Sequence, residues 1–345
     1  PRGIWLPECA YRAGLDAALA QYGLTHFVAD THAILNGHPP AQGAHLPVRT
    51  PGGPAVFVRD IESSRQVWSS QAGYPGDADY REFYRDLGYD GDYASIRPCL
   101  HADGIRRNIG VKYHRVTGKV DLGAKALYNH EWAQNKAREH ARHYLFCRQQ
   151  QILGLSRVMS DPPIVVAPYD AELFGHWWFE GPDFLEQFFR HAQYVRGDYE
   201  PITLSGYLQR HPPRHTCAPS SSSWGNEGYY GVWLNNTNDW IYRHLHHAEE
   251  RMVRLCKAHP RAARAMRAAL NQAARELLLA QSSDWAFIMA NNTSVPYAHR
   301  RTREHITRFH ALCDMVESRA PDPQAIEAIW RLDPIFPDIN YRDWR

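Results

Sequence analysis

The chain has 345 residues, 44% hydrophobic and 22% charged, enough to bury a large core and to form two domains. With 39 Lys+Arg against 37 Asp+Glu the net charge is only +2, which argues against a nucleic-acid or anionic-membrane partner and for a neutral one. No run approaches the roughly 18 apolar residues of a membrane helix, no signal peptide is visible, and the six cysteines (Cys9, Cys99, Cys147, Cys217, Cys256, Cys313) form no CxxC pair. They read as free thiols in a reducing, cytoplasmic setting without a zinc site. The chain opens at Pro1 rather than Met, as a processed product, an excised piece or a partial record would.

From the N-terminus, Gly3 to Ala10 reads as a strand end that delivers a carboxylate. Pro7 stops the strand just before Glu8 and turns the acid into the space above a sheet. Glu8 equally suits the first turn of the helical stretch Ala10–Gln21. A strand follows at Thr25–Val28, then a Gly/Pro/His-rich loop from Thr31 to Pro54, then a strand at Ala55–Val58 ending at Arg59-Asp60. That loop is longer than compact domains usually hold, so it is either disordered or a functional lid, and a lid over the site is the preferred expectation. From Ile61 to Asp90, paired charges and rings point to a partly buried polar network or, more plainly, to a solvated helix face, and no chemistry is assigned to them. Gly110–Gly118 reads as a strand and turn, and Ala124–Leu153 as a long helix.

The stretch that organises the rest runs from Ile164 to Gly181. It begins as a β-branched apolar run, the signature of a strand buried on both faces, and ends in Asp170, Glu172, His176, Trp177 and Trp178. Parallel sheets and barrels place reactive groups at the carboxyl ends of their strands, which makes Asp170 the first candidate for chemistry. Its alternative is a cap on the following helix. A helix is expected over Pro182–Val195 and a strand over Pro201–Leu204. The Pro/Ser-rich Pro212–Ser223 then divides a domain of residues 1–222 from one of 223–345.

Helices are expected at Asp239–His259, Arg261–Ala280 and Arg303–Arg319, the last with Ile306, Phe309, Cys313 and Val316 on one buried face. Between the boundary and these helices, Ser223 to Asn235 is rich in glycine and rings, suited either to a groove or to packing two domains together. Gln281-Ser282-Ser283-Asp284-Trp285 sets a further acid and ring after a helix end. His244 and His247 share a helix face without a third ligand and are expected on the surface.

Two strand-end carboxylates among aromatic platforms, with no phosphate loop, metal motif or nucleophile elbow, point to glycosidic-bond chemistry. Trp5-Leu6-Pro7-Glu8-Cys9-Ala10-Tyr11, the run from Ala167 to Trp178 containing Tyr169-Asp170-Ala171-Glu172, and Gln281 to Trp285 resemble three ordered motifs of glycoside hydrolase family 57, in the form carried by its 1,4-α-glucan branching enzymes.

The resemblance implies an α/β fold, an incomplete (β/α)7 barrel followed by an all-helical C-terminal domain, acting on α-glucan with no cofactor and no metal. It implies Glu8 as nucleophile and Asp170 as general acid/base of a retaining mechanism. Trp5, Trp177, Trp224, Trp233, Asp284 and Trp285 would lie against substrate, with Glu172 and His176 in support. The activity implied is cleavage of an α-1,4 bond and transfer of the chain to a 6-hydroxyl. An amylase, a 4-α-glucanotransferase or a non-catalytic carbohydrate-binding protein remain as alternatives. Because the first motif in this chain resembles the family's third, the chain is expected to expose an apolar sheet edge and to aggregate or bind the missing part.

Overall fold

The structure, a computed structural model, describes residues 1–69, 72–194 and 199–344. They form two compact units, Pro1–Trp224 and Gly225–Arg345.

The first unit is built on four strands, β1 (Gly3–Trp5), β2 (His26–Ala29), β3 (Val48–Arg49) and β4 (Ala55–Val58), in the order β1-β2-β4-β3. β1, β2 and β4 are parallel, with Ile4 opposite Phe27 and Phe27 opposite Val56, and β3 runs antiparallel along β4. Every residue of β2 and β4 is buried, as a parallel sheet covered on both faces requires. The period of two divides their side chains: Phe27, Ala29, Val56 and Val58 join one apolar cluster, while Val28 and Phe57 join another with Ile164, Val166 and Tyr207. Around the sheet lie α1 (Leu15–Gln21), α2 (Thr31–Leu35), α3 (Ile61–Trp68), α4 (Leu87–Asp90), α5 (Tyr93–Ile96), α6 (His130–Ser156), α7 (Gly181–Ala192) and α8 (Leu204–Arg210). Asp60 caps α3 by accepting from Ser63 N at 2.7 Å, and Asn129 caps α6 by accepting from Trp132 N at 3.0 Å.

Four sequence expectations need correction. Ile164–Pro168 is not a ladder strand: it is held by Ile164 N to His45 O at 2.9 Å and Asp60 N to Val166 O at 2.8 Å. Pro162, Pro163 and Pro168 supply no N–H donors at its two ends, which leaves only Ile164–Ala167 free to donate. Pro201–Leu204 is not a strand either, because Thr203 accepts from Gly206 N at 3.1 Å and starts α8. Gly110–Gly118 makes only isolated bridges, Arg81 with Arg115 and His114 with Leu127. The expected lid, Thr31–Pro54, contains α2 and β3 and buries Ala33, Ile34 and Val48 in the cluster under the sheet, so apolar burial holds it in place. The helix expected to reach Val195 ends at Ala192, and residue 195 lies outside the described residues.

The second unit is helical: α9 (Trp240–Ala258), α10 (Arg264–Ala280), α11 (Asp284–Asn291), α12 (Val295–Glu317) and α13 (Pro323–Leu332). Met252, Leu270, Leu277, Phe309, Leu312, Cys313 and Val316 form its main cluster, which places Phe309, Cys313 and Val316 of the expected α12 stripe inside, while Ile306 is half-buried against a second cluster. α12 starts earlier than its apolar period suggests because Pro296, in its first turn, needs no N–H partner there. Among the described residues no helix is long and apolar enough to cross a membrane.

Candidate active site

The carboxyl ends of the parallel strands carry polar groups in succession. β1 runs into a single 3-10 turn, Pro7–Cys9, in which Glu8 (φ 60°) and Cys9 (φ 50°) both occupy the left-handed region. Neither is glycine, and holding such residues there costs about 1–3 kcal/mol each, a strain that persists where surrounding contacts enforce it. Here those contacts are backbone bonds: Cys9 N to Leu6 O at 3.1 Å, Trp224 N to Glu8 O at 2.7 Å, and the pair Tyr11 N to Ser222 O at 2.9 Å and Ser222 N to Tyr11 O at 3.0 Å. The Cys9 side chain is fully buried and accepts from Trp5 Nε1 at 3.1 Å. Burial pushes its thiol up to about 12, so it stays neutral and packs rather than reacts.

β2 ends at Asp30 and β4 at Arg59, two residues that sequence reasoning passed over. Asp30 is buried and binds Arg59 Nη2 at 2.5 Å and His32 Nδ1 at 3.1 Å. Thr31 Oγ1 donates to Arg59 O at 2.5 Å. The Arg59 guanidinium lies 5.3 Å from the Trp224 ring, whose edge meets Trp5 at 5.1 Å and 74°. Glu8 is thus attached through its backbone to a wall of Trp5, Trp224 and Arg59. The signal for Asp30 and Arg59 was available, since each directly follows a largely apolar strand, much as Asp170 comes shortly after Ile164–Ala167.

Asp170 is half-buried and its side chain makes no capping bond to the 3-10 turn Ala171–Leu173 that follows. The capping alternative is therefore not what the carboxylate does. Its position is set by its neighbour: Tyr169 OH donates to Ser63 O at 2.8 Å and meets Tyr144 OH at 3.1 Å, pinning the chain to α3 and α6. Burial raises the Asp170 carboxyl above its ordinary value, and the charges of Glu172 and Glu8 raise it further. Of the two acids singled out from sequence, Glu8 is thus among the charges that act on Asp170.

Glu172 O accepts from His176 N at 3.2 Å and from Trp177 N at 3.3 Å, closing a tight loop that presents two tryptophans in opposite directions. Trp178 is 1% exposed and packs in the core with Tyr80 and Phe184, whereas Trp177 is 46% exposed and stacks on Phe83 at 4.3 Å and 25°. Phe83 also meets His176 at 5.6 Å, and sequence reasoning gave no hint of this partner.

Trp233, Asp284 and Trp285 lie in the second unit. Trp233 is half-buried against Phe287 at 5.7 Å, and its carbonyl accepts from Tyr242 OH. Asp284 is exposed at the start of α11 and accepts from Ser282 Oγ at 2.8 Å. Trp285 is 8% exposed, donates from Nε1 to Leu279 O at 2.8 Å and packs on His305. Among the described residues no group of three His, Cys, Asp or Glu side chains is placed to hold a metal ion.

An acid raised above its ordinary value, with a second acid among the charges that raise it, is a combination that glycosidases use. The chain belongs to glycoside hydrolase family 57, whose profile matches residues 1–219. Residues 244–344 match the C-terminal region of 1,4-α-glucan branching enzymes. A 1,4-α-glucan branching enzyme of Thermococcus kodakarensis is 33% identical over 91% of this chain and 48% of its own length. Among solved structures, an α-amylase of Thermotoga maritima shares 44% identity with a TM-score of 0.86, over 100% of this chain and 65% of that one. A family 57 branching enzyme of Pyrococcus horikoshii shares 33% identity with a TM-score of 0.83, over 100% and 64%. The chain therefore spans about half the length of the curated relative and under two thirds of these structures. The solved structures join a (β/α)7 barrel to a helical domain; the first unit here holds a four-stranded α/β sheet corresponding to part of such a barrel, and the second unit is helical.

Proposed function

We propose that the protein acts on α-glucan as a 1,4-α-glucan branching enzyme, with Glu8 as nucleophile and Asp170 as general acid/base. The observation that carries this reading is the raised Asp170 carboxyl, with Glu8 among the charges that raise it. Asp170, its carboxyl raised by burial and neighbouring charges, gives its proton to the leaving oxygen while the Glu8 carboxylate attacks the anomeric carbon, forming a covalent glycosyl-enzyme. Asp170, now ionised, then removes the proton from the incoming 6-hydroxyl, which displaces Glu8 and completes a transfer with net retention. Trp5, Trp177 and Trp224 are the rings on which we place sugar faces, and Trp233, Asp284 and Trp285, all in the second unit, are proposed as further contacts to glucan.

The match of residues 244–344 to branching-enzyme C-termini supports transfer over hydrolysis. The Thermotoga structure, described as an α-amylase at 44% identity, supports hydrolysis as the second reading. Incubation with linear glucan separates them. Branching leaves the number of reducing ends unchanged and yields short chains after enzymatic debranching, whereas hydrolysis raises reducing ends and yields none. Free thiols at all six cysteines support a cytoplasmic setting, and storage-glucan synthesis is the process we assign.

Three further results are expected. An oligosaccharide complex should place the Glu8 and Asp170 carboxyl groups about 5–5.5 Å apart, while a gap of about 6.5–9.5 Å would mean inversion. Replacing Glu172 by Gln removes one of the charges that raise Asp170. Its pKa should fall, and the basic limb of the kcat/KM profile, where the acid loses its proton, should move to lower pH; an unmoved limb would detach Glu172 from the acid. Trp224→Ala should weaken glucan affinity by on the order of 1–3 kcal/mol, by analogy with ring stacking on bases. A drop in melting temperature with unchanged affinity would reduce Trp224 to packing.

A further inference from the structure

The second unit holds a cavity of about 490 Å³ lined by Trp240, Arg243, His244, His299, Arg303, Ile306 and Thr307. Two arginines and two histidines converge on it, and no carboxylate lines it. Arg303 lies 5.6 Å from the Trp240 ring, and His299 and His244 meet the same ring at 5.4 Å and 6.2 Å. Among the described residues neither Arg243 nor Arg303 faces a carboxylate partner, although the surrounding arginines do: Arg300, Arg301 and Arg308 share Glu304, and Arg251 binds Asp314 and Glu317. Asp239, at the start of α9, is exposed and does not line the cavity.

The helices sharpen the imbalance. Trp240 on α9 meets His299 and Arg303 on α12, and eleven residues further along Arg251 meets Asp314 and Glu317, so the two helices run parallel with their N-termini together. Neither has an acid in its first turn. Positive dipole ends and basic side chains sit side by side, an arrangement that favours an anion and disfavours the cations already there. Helix stability does not account for Arg243, His244 and His299 at these positions.

We propose that this cavity binds a phosphate monoester, with the Arg243 and Arg303 guanidinium forks on the phosphate oxygens and Thr307, His244 and His299 as further polar contacts. Two unpaired forks suit a dianion that accepts several charge-assisted bonds, and the volume admits a phosphorylated monosaccharide. A nucleic-acid strand would need a longer basic track than one small cleft supplies. The site is lined by residues of the second unit alone and stands whether the protein branches or hydrolyses glucan.

Titration calorimetry on the full chain at low salt, with glucose 6-phosphate, glucose 1-phosphate and orthophosphate as probes and glucose as the uncharged control, tests this. Saturable 1:1 binding of a phosphate probe is expected, at least about tenfold weaker in Arg243→Gln and in Arg303→Gln. Arg331→Gln, an exposed arginine on α13, should leave it unchanged. Equal affinity for orthophosphate and the esters would assign recognition to the phosphate alone, and preference for an ester would assign the sugar to the Trp240 ring. Absence of saturable binding, or binding indifferent to both arginine substitutions, overturns the proposal.

Discussion

Asp170→Asn is expected to lower kcat/KM on linear α-glucan by about 10²- to 10⁴-fold, the range a positioned general acid contributes. The loss should depend on the leaving group, which makes the result diagnostic. A sugar hydroxyl leaves badly without a proton, whereas an aryl leaving group needs little help, so the first step on an aryl maltoside should survive in the variant. The second step then lacks its base and the glycosyl-enzyme accumulates. Azide, which needs no deprotonation, should restore turnover. Glu8→Gln removes the nucleophile itself and should be slow on both substrates. Asp170 makes no capping bond, so melting temperature should barely change. A loss of equal size on glucan and aryl maltoside, unrelieved by azide, would refute the acid/base assignment.

Much of the scaffold was legible because its physics is local. β4 is apolar at every position and β2 at all but His26, and only strands covered on both faces tolerate that. The α12 stripe of Phe309, Cys313 and Val316 repeats at helical spacing and is buried where it should be. The misread segments are those in which a local apolar run conflicts with backbone donors. Ile164–Val166 looks like a strand by composition, yet the prolines on both sides leave it two backbone anchors to other segments. Pro201–Leu204 is apolar enough for a strand, but Thr203 supplies a helix cap.

The site was legible in part for the same reason. An acid directly after a buried run is a local pattern, and it singles out Glu8 and Asp170. Asp30 carries the same pattern, and its pairing with Arg59 becomes visible only when β2 lies beside β4. The left-handed turn at Glu8 and Cys9 has no sequence signature, because residues with side chains are held there by bonds from Ser222 and Trp224, far along the chain. Likewise, two adjacent tryptophans look equivalent in sequence. Phe83 stacks on Trp177 while Tyr80 and Phe184 enclose Trp178, so long-range packing decides which ring faces outward.

The polar density of Ile61–Asp90 is buried machinery rather than a solvated face, and Asp86→Ala should show it by costing about 3–5 kcal/mol of stability. Asp86 is 2% exposed and accepts from Gly88 N at 2.8 Å, Ile109 N at 2.9 Å and Gly110 N at 3.0 Å, with Lys112 Nζ at 3.4 Å. Removing the carboxylate strands one buried and two partly buried donors and an ammonium that is itself almost wholly enclosed. Burial alone would raise this carboxyl, but the N–H groups of Ile109, Gly88 and Gly110 and the Lys112 ammonium outweigh it and hold it below the ordinary carboxylate range. A folded-state value below the unfolded one means the stabilisation is present above about pH 4 and is lost as pH falls through the folded value. Asp86→Ala should therefore lose most relative stability near neutrality and least in acid. Chemical denaturation of wild type, Asp86→Ala, Lys112→Met and the double variant separates the ion pair from the backbone contacts, since only the former couples the two substitutions. If Asp86→Ala melts within about 1 kcal/mol of wild type at neutral pH, the network is peripheral and the segment is held by its rings instead.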